Sequence, residues 1–331
     1  MDMPPHRTQA PIEVVIVGAG PIGQGVAAAV ARRRGLVLAA VVDVDPAKVG
    51  TQVAGVSVRR ELPPPADEPR VAVLTTTSSL AKLESQVLDC LDRGMAVVST
   101  CEELAWPWGA PEPARRIDEA ARHAGRAVLG TGVNPGFVMD ALPLALTAPC
   151  LRVDAVRVER VQDAASRRLP FQDKVGVGRE PTEVQAALDA QRVGHVGLRE
   201  SAALVATTLG LVTDAFVETR RVVVADAAIE RAGRRVERGQ ALGVEQLGRA
   251  TRAGQVMVEL VFRATFGEAQ SYDRVLIEGE PRLDVRIEGG VPGDVATCAI
   301  VANAVPVVAA APGGLHTMAD LPLIVGAAAP G

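Results

Sequence analysis

The chain has 331 residues, 48% of them hydrophobic, enough for one large domain or two ordinary ones. Its 35 Lys and Arg against 39 Asp and Glu give a formal charge of −4, and no long basic run points to nucleic acid or an anionic membrane surface.

After a Pro-rich polar start, IEVVIVG (12 to 18) is a short β-branched run ending at glycine, the signature of a buried strand. GAGPIGQGVAAAVARRRG reads as a glycine-rich turn and an Ala-rich helix stopped by Gly35; Arg32-Arg33-Arg34 then sits at a helix end that favours cations. LVLAAVVDVDPAKVG is a second buried strand ending at Asp43. RVAVLTTT is a third strand, LAKLESQVLDCLDRG a helix and MAVVST another strand. PARRIDEAARHAG is helical, and RAVLGTGVNPG returns to strand and loop. Strands alternating with helices at this spacing predict a Rossmann-type, doubly wound parallel sheet over residues 1–135.

Near residue 150 the pattern changes. LRVDAVRVERVQD, RRVVVADAAIE, GQVMVELVFRATF and DRVLIEGEPRLDVRIEG alternate apolar and polar residues, as half-exposed antiparallel strands do. One helical segment, LRESAALVATTLGL, lies between the first of these and the rest. Residues 136–293 are therefore expected to form an α+β domain with a mostly antiparallel sheet, for substrate and dimerisation. GDVATCAIVANAVPVVAAAPG reads as a long apolar helix, so 294–331 is expected to return to the first domain. No internal repeat is present.

Cys90, Cys101, Cys150 and Cys298 form no CxxC pair, and no Cys/His cluster has metal-ligand spacing. Free thiols in a reducing compartment and no metal site are expected. MDMPPHRTQAP lacks the apolar core of a signal peptide, and AIVANAVPVVAAAP is too short for a membrane span. The reading is a soluble cytoplasmic protein.

Gly18-Ala19-Gly20-Pro21-Ile22-Gly23 fits GxGxxG between a strand and a helix, and Asp43 stands 20 residues after the third glycine. Glycines permit the tight turn and bring backbone N–H groups and a helix N-terminus to a pyrophosphate, while an acid at the second strand's end accepts ribose hydroxyls. A dinucleotide site is expected. Asp43 argues for NAD, since its charge repels a 2′-phosphate; Arg59, Arg60 and Lys48 are near enough to accept one, so NAD and NADP both stay open.

In an open α/β sheet, ligands sit beyond the carboxyl ends of the strands. Three such ends carry unusual residues: Thr75-Thr76-Thr77, Ser99-Thr100-Cys101-Glu102-Glu103, and Gly130-Thr131-Gly132-Val133-Asn134-Pro135-Gly136-Phe137. Thr75, Thr76, Thr100 and Cys101 are assigned to the cofactor, and the Asn134 amide to cofactor or substrate. Glu102 and Glu103 lie where a nicotinamide would sit. One of them, Glu103 being the candidate, is expected to cap the following short helix, leaving the other for acid/base work; Glu103 is also assigned to the substrate side of the pocket. Trp106 and Trp108 are expected to wall the pocket and exclude water. With Phe137 and Phe171, half of the chain's eight aromatics fall in these candidate loops.

In the second half, RVQDAASRRLPFQDKVGVG gathers Arg160, Gln162, Arg167, Arg168 and Lys174, while His195 lies between glycines ahead of a helix. The basic residues suit a substrate carboxylate if they face the pocket; if they face solvent, the aromatics define a site for a plain aliphatic amine or ketone. Asn303, on the late apolar helix, is expected to meet the nicotinamide amide.

Taken together, VVSTCEEL, GTGVNPGFVMD, RRLPFQDKVGVG, GHVGLRES and GDVATCAIVANAVPVV resemble the 2,4-diaminopentanoate dehydrogenases and the native amine dehydrogenases, whose N-terminal domain is similar to dihydrodipicolinate reductase. The resemblance implies homodimers that oxidise an amine to an imine, hydrolysed to a ketone, and that run reductive amination with ammonia in reverse. It also implies a catalytic glutamate after the fourth strand, which carries over to Glu102 better than to Glu103. Dihydrodipicolinate reductase activity itself is disfavoured because the chain has no adjacent histidines, and the Glu-Lys-Pro motif of related sugar dehydrogenases lacks its lysine here. An alcohol or semialdehyde dehydrogenase of the same fold and a non-catalytic nucleotide sensor are the alternatives.

Overall fold

The computed structural model describes residues 10–66 and 68–327. In chain order the elements are β1 (Ile12–Val17), α1 (Pro21–Arg32), β2 (Leu36–Val42), β3 (Gln52–Val53), β4 (Val56–Arg59), β5 (Arg70–Leu74), α2 (Leu80–Asp92), β6 (Ala96–Ser99), α3 (Pro111–Ala124) and β7 (Ala127–Gly130). There follow α4 (Ala141–Leu146), β8 (Arg152–Asp163), α5 (Leu169–Lys174), α6 (Pro181–Asp189), α7 (Leu198–Thr208), β9 (Ala215–Val224), β10 (Ile229–Arg231), β11 (Arg234–Val236), β12 (Ala241–Arg252), β13 (Gln255–Thr265), β14 (Tyr272–Glu280) and β15 (Leu283–Glu288). The chain closes with α8 (Gly293–Ala310) and β16 (Gly314–His316). Two compact units result, one of Met1–Val133 with Gly293–Gly331 and the other of Asn134–Pro292.

The first unit is a doubly wound sheet of order β16-β7-β6-β5-β1-β2-β4-β3. All its pairings are parallel except the β3–β4 hairpin. The order turns outward in both directions from β1, so a crevice opens beyond the carboxyl ends of β1 and β5. Alternate residues of the buried strands feed two cores. On one face Val14, Ile16 and Val73 meet Val26 and Val30 of α1 and Val301, Val305 and Val308 of α8. On the other, Val15 and Leu74 meet Leu83 and Val87 of α2 and Ile117 of α3.

The closing helix α8 does return to this sheet, lying against α1 and against β5, β6 and β7. Its approach to α1 is close: a Cβ at Gly25 would stand 2.5 Å from the Cys298 sulfur. By length and composition α8 is apolar enough to cross a membrane, yet Val301, Ala302, Ala304, Val305 and Val308 are buried within the unit. Its buried side, Val301 to Val308, belongs to the core of this unit.

The second unit is built on a six-stranded sheet of order β15-β14-β8-β13-β12-β9, antiparallel except for the β13–β8 pair. Helix α7 packs on β12 and β13, and α6 on β9. Strand β12 and helices α5 and α6 go beyond the sequence expectation. The covered side of β12 is Val244, Gln246, Gly248 and Ala250, all buried but too small or too polar to show a hydrophobic alternation.

The turn that carries Glu102 rests on Gly130. A Cβ there would meet the Leu104 carbonyl carbon at 2.4 Å and the Ala105 nitrogen at 2.7 Å, both backbone atoms that cannot swing away. Gly130→Ala is expected to lower the free energy of urea unfolding by about 2–3 kcal/mol. Gly109→Ala, where nothing lies within 4 Å, is expected to change it by less than about 0.5 kcal/mol.

Candidate active site

The glycine loop forms because two of its positions have no room for a side chain. Gly18 adopts φ +100°, and a Cβ on it would touch the Thr75 hydroxyl at 2.8 Å. At Gly23 a Cβ would lie 1.8 Å from the Gly18 carbonyl oxygen, so the first turn of α1 can press on the end of β1 only with glycine there. Gly20 differs: nothing lies within 4 Å of the Cβ it lacks, and as N-cap of α1 it provides no side-chain cap. With Pro21 at the first helical position, the helix start is an open cradle of backbone N–H groups suited to an anion.

This cradle borders a cavity of about 740 Å³, whose lining includes Gly18, Gly20, Asp43, Lys48, Arg60 and Thr76. The size suits a cofactor site. Pro21, Ile22 and Gly23 shape it as the first turn of α1 rather than lining it. Thr75 lines the cavity, but its hydroxyl donates to the Gly18 carbonyl at 2.9 Å and so fastens the loop. Thr76 donates to Gln86 at 2.8 Å.

Asp43 follows β2 and is nearly buried. It accepts from the Ala19 N–H at 2.7 Å, the Asp45 N–H at 2.9 Å and the Lys48 ammonium at 3.0 Å. Burial acts to raise its pKa, but the Asp45 N–H, Lys48 and the Ala19 N–H together hold the carboxyl below its usual range. Asp43 therefore ties the glycine loop to the second strand.

After β6 the chain makes one 3₁₀ turn over Glu102–Ala105. Glu103 reaches back to the N-terminus of α2 and accepts the Leu80 N–H at 2.6 Å, where Ser79 supplies no side-chain cap. It caps an earlier helix, not the following one, and the carboxylate assigned to substrate is thereby committed to structure. Glu102 is half-buried, and its carboxylate has no hydrogen-bond or ion-pair partner among the described residues. Thr100 is half-buried just before it. Trp106 is half-buried, whereas Trp108 is 44% exposed, so the two tryptophans do not form one wall.

Two cofactor assignments are corrected. Cys101 is buried in the core that also holds Leu83 and Leu104, where burial pushes its pKa up to about 12. Asn303 accepts a hydrogen bond from Arg33, at the end of α1 opposite the glycine loop, and so pins α8 to α1.

In the second unit, Asn134 precedes a cis proline and Gly136 adopts φ +124°. Asp140, fully buried, holds this loop by accepting from the Gly136 N–H at 2.7 Å, the Ala141 N–H at 2.7 Å and the Ser201 hydroxyl at 2.8 Å. Asn134 Nδ2 stands 3.0 Å from His195 Nε2, and its buried Oδ1 has no hydrogen-bond partner. His195 stacks on Phe262 with ring centroids 4.8 Å apart. Gln246 clamps its backbone, accepting the His195 N–H at 2.6 Å and donating to its carbonyl at 2.9 Å. Burial, then the charges of Lys174 and Arg160, push the His195 pKa down to about 3. The ring is neutral, Nε2 accepts from the asparagine, and Nδ1 keeps the proton.

Arg160 is corrected as a direct substrate contact. It is 2% exposed and its guanidinium meets both Asp273 oxygens at 2.9 and 2.8 Å and the Val291 carbonyl at 2.8 Å. Gln162 accepts from Arg167 at 3.0 Å, and Arg167 lies 4.3 Å above the Phe171 ring. Phe137 is half-buried in the loop that Asp140 holds. The sequence reading missed Asp140 and Gln246. Asp140 sits inside the quoted GTGVNPGFVMD, whereas nothing local marks Gln246. Among the described residues no group of three His, Cys, Asp or Glu is placed to hold a metal.

A Rossmann-type unit with a glycine loop at an open helix start, a Glu102 carboxylate without a partner among the described residues after β6, and a second α+β unit are the features expected of a nicotinamide-dependent oxidoreductase. Residues 137–329 match the 2,4-diaminopentanoate dehydrogenase C-terminal domain, and residues 9–100 match a model described as a CoA binding domain. The chain belongs to the 2,4-diaminopentanoate dehydrogenase family and is an oxidoreductase of the amine dehydrogenase class. It is 26% identical to the 2,4-diaminopentanoate dehydrogenase of Acetoanaerobium sticklandii over 94% of each chain. It is also 24% identical to an amine dehydrogenase of Streptomyces virginiae, over 94% of this chain and 96% of that one. The fold is shared with an amine dehydrogenase of Mycobacterium smegmatis, at a TM-score of 0.78 and 24% identity, covering 97% of this chain and 98% of that one.

The His195 environment has a measurable consequence. Its folded pKa lies below the unfolded value of about 6.5, so the stability it contributes is complete above that pH and is lost as pH falls through the window from 6.5 toward 3. Imidazole NMR is expected to show a neutral, Nδ1-protonated ring at pH 5. From pH 6.5 to 5 the His195 contribution to unfolding free energy is expected to fall by about 2 kcal/mol, a slope that His195→Gln removes.

Proposed function

We propose that the chain catalyses NAD(P)-dependent oxidative deamination of a small amine or diamino acid, and the reductive amination of the matching ketone with ammonia, with Glu102 as the acid/base at the substrate nitrogen. The observation that carries this reading is the division of labour between adjacent carboxylates: Glu103 is spent on the start of α2, while Glu102, one residue past Cys101 at the carboxyl end of the sheet, has no partner among the described residues. The names of the two sequence relatives, a 2,4-diaminopentanoate dehydrogenase and an amine dehydrogenase, support the amine as substrate class.

The residues present fit a dinucleotide: Gly20 leaves the space a pyrophosphate would fill, and the uncapped start of α1 supplies its donors. When bound, the nicotinamide supplies a hydride acceptor for the carbon that bears the nitrogen. Glu102 first takes a proton from the substrate ammonium, leaving the neutral amine whose lone pair assists loss of that hydride. Once that proton has passed to solvent, the carboxylate deprotonates the water that adds to the iminium carbon, returns the proton to the nitrogen, and takes the carbinolamine hydroxyl proton as ammonia departs and the ketone remains. In reverse the same carboxylate holds ammonia for attack on the carbonyl and protonates the leaving hydroxyl. A carboxylate suits this work because its charge attracts the ammonium form.

Roles in substrate recognition are assigned separately in each unit: in the first to Trp106, and in the second to Phe137 and Phe171, with the Asn134–His195 pair as a neutral hydrogen-bonding group and Arg167 with Gln162 as a polar one. Arg160 acts through His195, as a buried charge that helps keep the ring neutral.

The working form is proposed to be a cytoplasmic homodimer. In the sheet of the second unit, residues on the face opposite Gln246 and Phe262 include Leu247, Val261 and Leu276 among the ion pairs Arg249–Glu259 and Arg263–Glu245. An apolar centre ringed by both charges is self-complementary under a twofold axis. The four cysteines are all unpaired, as a reducing compartment requires.

NADH and NADPH oxidation with short-chain ketones and 2-amino-4-oxopentanoate is expected to depend on ammonium. Turnover that does not need ammonium would place the enzyme among alcohol or aldehyde dehydrogenases. Glu102→Gln is expected to lower kcat by about 10²–10⁴-fold without changing nucleotide affinity. Glu103→Gln is expected to act chiefly on stability, by about 1 kcal/mol.

A further inference from the structure

Beyond β2 and β4 the cavity is unlike a simple ribose-diol site. An acid that selects NAD must keep acceptor capacity for two ribose hydroxyls. Asp43 already serves three donors, one of them the Lys48 ammonium, and only about 9% of it is exposed. Lys48 also neutralises the charge that would repel a phosphate. Its ammonium lies 3.0 Å from Asp43 and 3.8 Å from the partly exposed Asp45, yet keeps a proton beyond the one given to Asp43, and its side chain is 39% exposed.

Arg60 stands one residue past β4, whose last residue, Arg59, accepts the Asp43 N–H through its carbonyl at 3.0 Å. This parallel neighbour of β2 therefore delivers Arg60 to the same end of the cavity. Arg60 is exposed and has no hydrogen-bond or ion-pair partner among the described residues, whereas Arg93, farther along the lining, is paired with Asp89 at 3.0 Å. Glu61 also borders this end and is the one acid there with no such partner. A phosphomonoester carries about −1.5 to −2 charges at pH 7, so it gains more from Lys48 and Arg60 than it loses to one exposed carboxylate.

We propose that this chain selects NADP(H), with Lys48 and Arg60 as the residues that hold the 2′-phosphate. The proposal rests on the dinucleotide reading of the cavity and deepens it. Arg60 supplies a planar fork of N–H donors and Lys48 a point charge, while Asp43 remains a structural carboxylate closing the glycine loop on β2.

The test is direct binding by isothermal titration of the full chain with NADPH, NADH, 2′,5′-ADP and 5′-AMP, needing no substrate or turnover. NADPH is expected to bind at least about tenfold more tightly than NADH, and 2′,5′-ADP more tightly than 5′-AMP, with the advantage shrinking as salt rises. Arg60→Ala, which removes a surface side chain without a partner among the described residues, is expected to weaken NADPH and 2′,5′-ADP at least about tenfold while NADH stays within about twofold. Lys48→Met is expected to weaken the same two ligands. NADH binding as tightly as NADPH would overturn the proposal and leave the dinucleotide site standing, as would an equal loss for both in Arg60→Ala. Binding of neither nucleotide would overturn the dinucleotide reading together with the proposal.

Discussion

Everything functional in the first unit depends on how closely the first turn of α1 can approach the end of β1. Gly23 has no space for a Cβ against the Gly18 carbonyl, and Gly18 has none against Thr75. These contacts turn the chain sharply out of the strand and aim the helix N-terminus at the crevice where the sheet order reverses. Thr75 and Asp43 then lock the loop from either side, by hydrogen bonds to the Gly18 carbonyl and from the Ala19 N–H. Gly20, the glycine without neighbours, is left facing open space. Packing constraint and anion cradle are thus two results of one glycine pattern.

A similar economy governs the acidic pair after β6. Adjacent residues in a tight 3₁₀ turn project in different directions, so Glu103 can cap α2 while Glu102 stays uncommitted. Gly130 lets the turn sit on the neighbouring strand, and Glu103 bolts it to α2. Glu102 is therefore carried on a braced element, which a group transferring protons to a defined atom requires. In the second unit Asp140 and Gln246 play the bracing role for Asn134 and His195, each through hydrogen bonds to backbone as well as side chains.

Much of this was legible in the sequence where local pattern and burial coincide. Apart from Glu13, Arg70 and the exposed Val37 near their starts, the strands β1, β2 and β5 are short runs of Val, Ile, Leu and Ala, mostly buried, and their ends are marked by glycine, Asp43 and threonine. The special status of residues 102 and 103 also showed, because two acids just past a buried strand have few structural uses. What escaped depends on partners distant in the chain. Glu103 meets Leu80, 23 residues earlier; Arg160 meets Asp273, 113 residues later; Asn303 meets Arg33, 270 residues earlier. No spacing rule reaches those pairings, and each converts an apparent site residue into a structural one. Strand β12 was hidden for a different reason: Gln246 and Gly248 stand on its covered face, where an alternation of large apolar residues would have revealed it.

The central claim, that the Glu102 carboxylate moves the proton at the substrate nitrogen, is tested most directly by chemical rescue. Single-turnover hydride transfer from a small primary amine would be followed in Glu102→Ala with formate and acetate added. The account predicts slow transfer that small carboxylates restore in a concentration-dependent and size-dependent way, with no rescue of the wild-type protein. Wild-type rates in Glu102→Ala without any added acid, or an equal and rescuable loss in Glu103→Ala, would contradict it.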